Sequence, residues 1–441
     1  MDHQLNLKMN PAFKRITLSN GLSVLLKEIH SAPIISHWVW YRVGLRNESP
    51  GYFGLSHWVE HMQFKGTTQH SQEALEKLIS RVGGIWNAYT YLDWTAYFET
   101  MPANKIDLAL SIEADRMCNS LFNPGDVESE RNVILSELEG NENDPLYLLS
   151  GAVQKTAFQN HPYRNDVIGD RADLERIKRD DLVHHYKRFY APNNAVVCLA
   201  GDFKIDEMEN KVVAYYDHIP PIMLPDKPNL PIEQILSPNE VEIRGSDEMI
   251  YIQIAYSAPA GHDPDFFIFS IIDSLLTGPS GMNMFGGSGL SNKTSRLYRK
   301  IIEKNYAVSV FGGIQATIDP GLYVIDMILN PNQSPEEAVK IFDNQINLIR
   351  SKRINELEIN RAIKQAKALF AYSLENITNQ AFWLGYSEMF ADYSWFEHFI
   401  EHLQNVTVKD IQRVAQKYLD PEKRILGYYL PQNHEDTPNE S

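Results

Sequence analysis

Cysteine is nearly absent from this 441-residue chain, and its two cysteines, Cys118 and Cys198, lie far apart in the sequence. That count excludes the disulfide framework that supports many small secreted domains. We expect both thiols to be small, buried core residues. Long apolar runs are missing as well, so the sequence predicts no transmembrane helix.

Positive charge is scarce relative to negative charge, because 41 lysines and arginines stand against 57 aspartates and glutamates, for a net charge of −16. This excess argues against a general nucleic-acid binder and against a protein that docks on an anionic membrane. The polar stretch from Met1 to Lys8 has no apolar core of a signal peptide. We therefore expect a cytoplasmic protein, or a periplasmic one if a signal peptide has been removed.

What the chain has in quantity is length and apolar residues, at 43% of the sequence, and both predict a globular protein of two to four domains. Six prolines fall between residues 218 and 238, which predicts an extended linker. The predicted division is an N-terminal half, a linker, a C-terminal half and a polar tail, at residues 1–217, 218–240, 241–432 and 433–441.

Two local signals predict elements near the start of the chain. Asn20-Gly21 lies between two apolar runs and predicts a β-hairpin with a two-residue turn. Ser71 precedes an amphipathic pattern that ends at Gly83-Gly84, which predicts a capped helix.

A histidine motif follows the first predicted strands. His57 and His61 are four residues apart, so a helix places both on one face. Glu60 shares that face, where a carboxylate can hold a metal-bound water without being a ligand. This is the H-x-x-E-H pattern, the inversion of the H-E-x-x-H zinc pattern.

The same spacing occurs again at His398, Glu401 and His402. A catalytic zinc usually takes three protein ligands and leaves one position open, so the working copy needs a third ligand downstream. Glu137 is a candidate for the first copy, whereas only 39 residues follow the second. Because such spacing also arises by chance, we interpret the second copy as a partly solvated helix face.

Glu130 and Glu137 fall on one face of a predicted helix together with Val133 and Ile134. Carboxylates on an inward-facing stripe are costly unless a metal or a cation meets them. The alternative is a solvated edge of the stripe, which would be the better interpretation without the upstream histidines.

The second half of the chain repeats the first. Residues 177–192 and 406–421 both read as a helix followed by proline and a strand, with an offset of 229 at every matched position. An alignment of Gly66 with Gly278 also shows what the second half has in place of the histidine motif. Opposite that motif stand Phe269, Ile272 and Asp273, so duplicated halves would mean that the second has lost the metal set.

Further motifs extend over nearly the whole chain. They are Gly83-Gly84-Ile85-Trp86-Asn87-Ala88-Tyr89-Thr90, Glu130-Arg131-Asn132-Val133-Ile134-Leu135-Ser136-Glu137, His161-Pro162-Tyr163, Ile168-Gly169, Tyr190-Ala191-Pro192-Asn193-Asn194, Ala200-Gly201-Asp202 and Ser295-Arg296-Leu297-Tyr298. With the histidine motif and the spacing from His61 to Glu137, they make the chain resemble the pitrilysin family of zinc peptidases. The resemblance is to the short-chain branch, near the mitochondrial processing peptidase and bacterial relatives.

The resemblance implies an α+β fold of two structurally similar halves, each a mixed or antiparallel sheet flanked by helices. Two such chains, or one doubled chain, close as a clamshell around a chamber. It also implies that the substrate adds as an extra strand along Ile85–Tyr89, which makes Asn87 and Ala88 candidate substrate-binding residues.

The same resemblance implies the roles of the site residues. His57, His61 and Glu137 bind Zn²⁺, an ion that the His/His/Glu set also favours chemically. Glu60 is the general base that takes a proton from metal-activated water. Glu130 orients a ligand from outside the coordination sphere.

One part of the family pattern is missing. The family stabilises the oxyanion with an Arg and a Tyr seven residues apart in the inactive half, and these positions fall on Ile302 and Val308 here. Arg299 and Tyr306 have the right spacing in a shifted register, as a candidate replacement pair. A glycine-rich insert from Gly278 to Gly289 precedes them and reads as a flexible linker rather than a phosphate loop.

The sequence thus predicts a zinc metalloendopeptidase subunit that hydrolyses peptides or unfolded protein segments. We expect it to work as a heterodimer with a second family subunit that supplies the Arg and Tyr, or as a homodimer that uses Arg299 and Tyr306. The alternative from another class is a non-catalytic scaffold or peptide-binding subunit of a larger complex.

Overall fold

The structure is a computed structural model, and it describes residues 13–279, 292–351 and 354–432. The predicted polar tail lies outside the described residues, and so does the glycine-rich insert apart from its first two positions. Within the described ranges no helix is both long and apolar enough to span a bilayer.

The described part of the N-terminal half contains a six-stranded mixed sheet in the order β1-β2-β6-β3-β5-β4, in which β2 and β6 are parallel and the other neighbours antiparallel. Its strands are β1 (Phe13–Thr17), β2 (Ser23–Glu28), β3 (Ile34–Tyr41), β4 (Ile85–Thr90), β5 (Thr95–Pro102) and β6 (Ala195–Gly201). The helices of this half are α1 (Leu55–Met62), α2 (Gln72–Arg81), α3 (Ile106–Asn119), α4 (Pro124–Asn141), α5 (Pro145–Ala157), α6 (Arg171–Arg176), α7 (Arg179–Phe189) and α8 (Ile205–Tyr216).

The described part of the C-terminal half contains a five-stranded sheet in the order β7-β11-β8-β10-β9, with β7 and β11 parallel. Its strands are β7 (Asn239–Gly245), β8 (Tyr251–Ser257), β9 (Ala307–Ile314), β10 (Leu322–Leu329) and β11 (Arg424–Pro431). Its helices are α9 (Asp265–Leu276), a π-turn (Tyr298–Ile302), α10 (Pro335–Arg350), α11 (Glu356–Ser373), α12 (Ile377–Phe390), α13 (Tyr393–Glu397), α14 (Phe399–Gln404) and α15 (Val408–Tyr418). The predicted fold class, two mixed sheets each flanked by helices, is confirmed.

The predicted internal repeat is visible in the element boundaries. Helix α15 begins and ends 229 residues after α7, and β11 begins 229 residues after β6. The predicted linker has no regular secondary structure until Asn239, where β7 begins two residues before the predicted start of the C-terminal half.

Each half contributes one helix that packs on the sheet of the other half. Helix α5 packs on β7, β8 and β11, whereas α12 packs on β2, β3 and β6. Strand β3 shows why, because its alternating side chains divide between two cores. Trp38 and Trp40 face Phe382 of α12, with ring centroids 5.5 and 5.3 Å apart, while Val39 packs among the N-terminal helices. The two halves are therefore interlocked, although the chain divides simply in sequence.

The prediction that both cysteines are buried holds for one of them. Cys198 lies in the central strand β6 and is buried, whereas Cys118 is exposed near the end of α3. Its thiol donates to the carbonyl of Ala114, one turn earlier in the same helix.

Candidate metal centre

Helix α1 presents the histidine motif. Trp58, Val59 and Met62 anchor it in the core, which leaves His57 and His61 on the face that is partly open to solvent. The helix begins at Gly54, whose φ of +99° is the left-handed conformation that glycine adopts readily. A Cβ atom at Gly54 would lie 2.5 Å from the carbonyl oxygen of Ile168, so only glycine allows this close approach.

Helix α4 brings Glu137 to the two histidines. The Nε2 atoms of His57 and His61 are 3.3 Å apart, and Glu137 Oε2 lies 3.9 Å from the first and 3.7 Å from the second. Donor atoms on a tetrahedral zinc ion are separated by roughly 3.3–3.5 Å, given metal–ligand bonds of about 2.0–2.2 Å. Two imidazoles and one carboxylate are a common catalytic zinc set, so the residues fit this ion. No other group of three or more His, Cys, Asp or Glu side chains converges in this way within the described ranges.

The two histidines differ in protonation. Burial alone lowers the pKa of His61, but the neighbouring carboxylates of Glu130, Glu60 and Glu137 outweigh burial and raise that pKa overall. Burial lowers the pKa of His57 to about 3, so its ring is neutral and its Nε2 can be a ligand. His61 Nδ1 lies 2.8 Å from Glu130 Oε1, and because a carboxylate only accepts, Nδ1 is the donor. This contact leaves Nε2 of His61 directed at the cluster, and it places Glu130 outside the three ligands.

Lys65 also belongs to the site, through a contact with Glu130 that the sequence did not reveal. Its Nζ lies 2.5 Å from Glu130 Oε2, the carboxylate oxygen that does not contact His61. Burial alone raises the pKa of Glu130, but the hydrogen bonds from His61 and Lys65 outweigh it and lower that pKa overall. Glu130 therefore stays ionised, and it holds the His61 ring by a charge-assisted bond. The only signal in the sequence is the i+4 spacing of Lys65 from His61.

Glu60 is buried beside the cluster, and Thr90 Oγ1 donates to its Oε2 at 2.6 Å. Burial raises the pKa of Glu60 to about 7, which the bond from Thr90 offsets only in part. Thr90 is the last residue of β4. The spacing of the histidine motif cannot show that this residue contacts Glu60. A carboxyl group with this pKa can both accept and release a proton near neutral pH.

Strand β4 is an edge strand, since β5 is its only partner among the described strands. The amide of Ala88 donates to the side chain of Asn87 at 2.9 Å, and Asn87 itself is exposed. An extended peptide can therefore approach the outer edge of β4, whose last residue contacts Glu60.

The second copy of the motif forms no such cluster. His398 lies between α13 and α14 with its Nδ1 2.9 Å from the carbonyl of Ser394, and His402 stacks on Phe267. Both histidines and Glu401 are exposed, as predicted for a solvated face.

Arg299 and Tyr306, the candidate replacement pair, do not contact the histidine cluster among the described residues. Tyr306 Oη donates to Glu337 Oε1 of α10 at 3.0 Å, and Arg299 is exposed in the π-turn. Neither side chain has a hydrogen bond or ion pair to the histidine cluster among the described contacts. At the positions where the family pattern has its pair, Ile302 is half-buried and Val308 is exposed at the start of β9.

Two family models match the chain. The model described as Insulinase (Peptidase family M16) matches residues 23–171, and the model described as Peptidase M16 inactive domain matches residues 176–366. The first range contains the whole histidine cluster, and the second contains most of the C-terminal half.

Relatives and a solved structure agree with this match over more than nine-tenths of the chain. The chain is 25% identical to an uncharacterized zinc protease of Streptomyces coelicolor, covering 94% of this chain and 89% of that one. It is 27% identical to the mitochondrial-processing peptidase subunit beta of Lentinula edodes, with coverage of 93% and 88%. The crystal structure of a protease from Helicobacter pylori has the same fold, with a TM-score of 0.88 at 23% identity over 96% of this chain and 100% of that one.

These matches define a class of two-domain proteins whose named relatives include zinc proteases. The chain belongs to peptidase family M16, the pitrilysin family.

Proposed function

We propose that the chain is the metal-bearing subunit of a zinc metalloendopeptidase that hydrolyses peptides or unfolded protein segments. The observation that carries the proposal is the convergence of His57, His61 and Glu137 beside the buried carboxyl of Glu60. The names of the zinc protease relatives support the same reaction class.

Each residue of the cluster has a defined part in the proposed reaction. His57, His61 and Glu137 would hold Zn²⁺, which when bound would supply Lewis acidity to activate water and polarise a scissile carbonyl. Glu60 takes a proton from the attacking water and passes it to the leaving amine, for which a pKa of about 7 is well placed. Thr90 holds the Glu60 carboxyl by a hydrogen bond to Oε2, which leaves Oε1 to exchange the proton.

The substrate is proposed to lie along β4 as an added antiparallel strand. Backbone pairing is independent of side chains, so it suits a peptidase that takes extended or unfolded segments. Asn87 and Ala88 would then contact the substrate, and their present contact with each other would open. Because β4 ends at Thr90, a peptide paired with it runs directly toward Glu60.

A second family subunit is proposed to complete the site. Ile302 and Val308 cannot donate a side-chain hydrogen bond to an oxyanion, and Tyr306 already donates to Glu337. A partner that carries an Arg and a Tyr seven residues apart would supply these donors in a heterodimer. The relative named as a subunit beta supports a chain that works with another subunit. A homodimer that uses Arg299 and Tyr306 is the other arrangement, and neither form needs nucleic acid or a membrane.

The alternative is a non-catalytic scaffold or peptide-binding subunit. The complete cluster and the contacts of Glu60 favour a peptidase, because a scaffold has no use for a general base that is poised beside three metal ligands.

The proposal is tested by cleavage of an unfolded protein and of a peptide mixture, with the isolated chain and with an added family chain that carries the Arg and Tyr. We expect cleavage by the mixture that stops on metal chelation and returns with zinc. A zinc-loaded mixture that binds peptides but never cuts them would establish the scaffold instead.

A further inference from the structure

The start of helix α1 is held by a buried carboxylate from outside the helix. Glu48 Oε2 accepts from the amide of Gly54 at 2.7 Å, and Glu48 Oε1 accepts from the amide of Ser56 at 2.6 Å. Glu48 is only 6% exposed, so both bonds are shielded from water. Nothing in the histidine motif itself requires this residue.

The first turn of α1 needs such an acceptor. The first amides of a helix have no partner within it, and Gly54 at the cap position has no side chain to supply one. A carboxylate at this end also interacts favourably with the helix dipole. Glu48 therefore fills the capping role from six and eight residues away, with charge-assisted bonds that are stronger than those of a neutral cap.

Glu48 is attached in turn to the segment that follows the edge strand. It comes directly after a 3₁₀ turn, Leu45–Asn47, whose amides at Leu45 and Arg46 donate to the carbonyls of Tyr91 and Leu92 at 3.2 and 2.7 Å. Those carbonyls follow Thr90, the residue that holds Glu60. One short path of hydrogen bonds thus joins the start of α1 to the end of β4.

This path determines how α1 lies relative to β4. His57 comes one residue after Ser56, so a shift at the capped end moves the first ligand directly. His57 and His61 must meet Glu137 of a different helix within a narrow range of distances, so a small displacement of α1 spoils the cluster.

We propose that Glu48 is a positioning residue for the metal centre, which fixes the start of α1 so that His57 and His61 reach the geometry that binds zinc. The inference rests on the proposed zinc site and adds the residue that aligns it. Among the described contacts, Glu48 has no hydrogen bond or ion pair to His57, His61, Glu137 or β4.

The test compares Glu48→Gln with Glu388→Gln in the full chain. Glutamine keeps the size of Glu48 but offers one acceptor oxygen and turns an NH₂ group toward the other amide. Glu388 of α12 is the control for loss of a buried carboxylate: it accepts from the backbone amide of Tyr393 at 3.0 Å and pairs with Arg15 of β1 at 3.0 Å, and it has no contact with the histidine cluster among the described contacts. Zinc affinity is measured by competition with a chromophoric chelator at pH 8, above the pKa of about 7 to which burial raises Glu48.

We expect Glu48→Gln to raise the zinc dissociation constant by about tenfold or more, as is typical when the support of a metal ligand is removed. The visible absorption of the cobalt-substituted variant should change as well, since it reports ligand geometry. Glu388→Gln should leave both readouts unchanged. Equal zinc affinity and an unchanged cobalt spectrum in Glu48→Gln would overturn the proposal, and so would an equal loss in Glu388→Gln.

Glu48→Asp covers the case in which the glutamine variant does not fold. Aspartate keeps the charge but is one methylene too short to reach both amides, so the dissociation constant should fall between those of the wild type and Glu48→Gln. Wild-type affinity in a folded Glu48→Asp chain would contradict the positioning role. A wild-type chain that binds no zinc contradicts both this inference and the proposed function, whereas tight wild-type binding with unchanged variants contradicts this inference alone.

Discussion

Helices α1 and α9 hold corresponding positions in the two halves but have opposite surroundings. In α1 one face is buried and the other carries His57 and His61 toward solvent, whereas nearly every residue of α9 is buried. Asp273, which aligns with His61, is buried too, and its Oδ1 accepts from Tyr323 Oη and Thr277 Oγ1 at 2.9 Å each. The fold therefore does not need the histidine cluster, and the candidate metal site lies on the one of these two helices that has a face left uncovered.

The largest effect that tests this comparison is loss of the metal. We expect about one zinc per wild-type chain and none after His57→Ala, His61→Ala or Glu137→Ala, because each removes one of three ligands. Asp273→Ala should keep its zinc, since hydroxyl donors already bind that carboxylate. Metal analysis of the purified variants checks this. If the double variant His57→Ala/His61→Ala keeps its zinc and His398→Ala loses it, the metal site is at the second copy of the motif, not the first.

Glu60 separates chemistry from metal binding within the N-terminal half. Glu60→Gln should keep zinc and fold but lose about 10²–10⁴-fold in turnover, because the amide cannot accept a proton from water. The measurement is a cleavage rate at saturating peptide beside a zinc determination on the same sample. Near wild-type rates in Glu60→Gln, in a preparation free of other proteases, would remove Glu60 from the mechanism.

The missing oxyanion donors test whether the C-terminal half contributes to the chemistry at all. Loss of one such donor costs roughly 10²–10³ in rate, so the isolated chain should be nearly inert and a partner with the Arg and Tyr should restore activity. Arg299→Ala and Tyr306→Phe are the controls. Strong activity of the isolated chain that either variant abolishes would show instead that the shifted pair works and that the chain needs no different partner.

Lys65 contacts His61 only through Glu130, so its substitution should lower zinc affinity less than the loss of a ligand does. Lys65→Met keeps the length of the stem but removes the charge that holds Glu130, and we expect zinc affinity to fall by about tenfold. Lys77→Met, on an exposed face of α2, is a control for loss of one positive charge. An unchanged zinc dissociation constant in Lys65→Met would mean that His61 alone keeps Glu130 ionised.

The features that the sequence predicted well are those set by local contacts. Ser71 caps α2 through its side chain, as the pattern indicated, because a cap and an amphipathic stripe need no distant partner. The hairpin of β1 and β2 also forms, but its loop runs from Leu18 to Leu22 instead of two residues. The reason is tertiary, since the Asn20 side chain donates to the carbonyl of Tyr216, the last residue of α8, and to that of Ile219 just after it.

In the candidate site, too, the sequence revealed the residues set by local spacing and missed those set by tertiary contacts. The spacing of His57 and His61 is local. Glu137 was a candidate third ligand from the helix pattern, and the resemblance to a family gave it that role. Glu48, Lys65 and Thr90 were missed because each depends on how separate elements meet, which no periodicity records. The packing of α5 on the C-terminal sheet and of α12 on the N-terminal sheet was missed as well, since a predicted linker suggests that each half has its own core.

A last test concerns stability rather than the metal, and it examines the packing of α5 and α12 through one glycine in each helix. A Cβ atom at Gly385 of α12 would lie 2.0 Å from Trp40 Nε1, whereas one at Gly151 of α5 meets nothing within 4 Å. Gly385→Ala should therefore destabilise the chain by about 1–3 kcal/mol through overpacking against β3. Gly151→Ala should stabilise it by roughly 0.5–1 kcal/mol, because alanine loses less backbone entropy within a helix.

Denaturant midpoints of the metal-free variants distinguish these signs. A Gly385→Ala chain as stable as the wild type would mean that α12 can move away from Trp40 at no cost, so the C-terminal helix would cover the N-terminal sheet only loosely. Equal destabilisation by both variants would mean that α5 is packed as tightly as α12, and these two helices would then be equivalent in packing as well as in position.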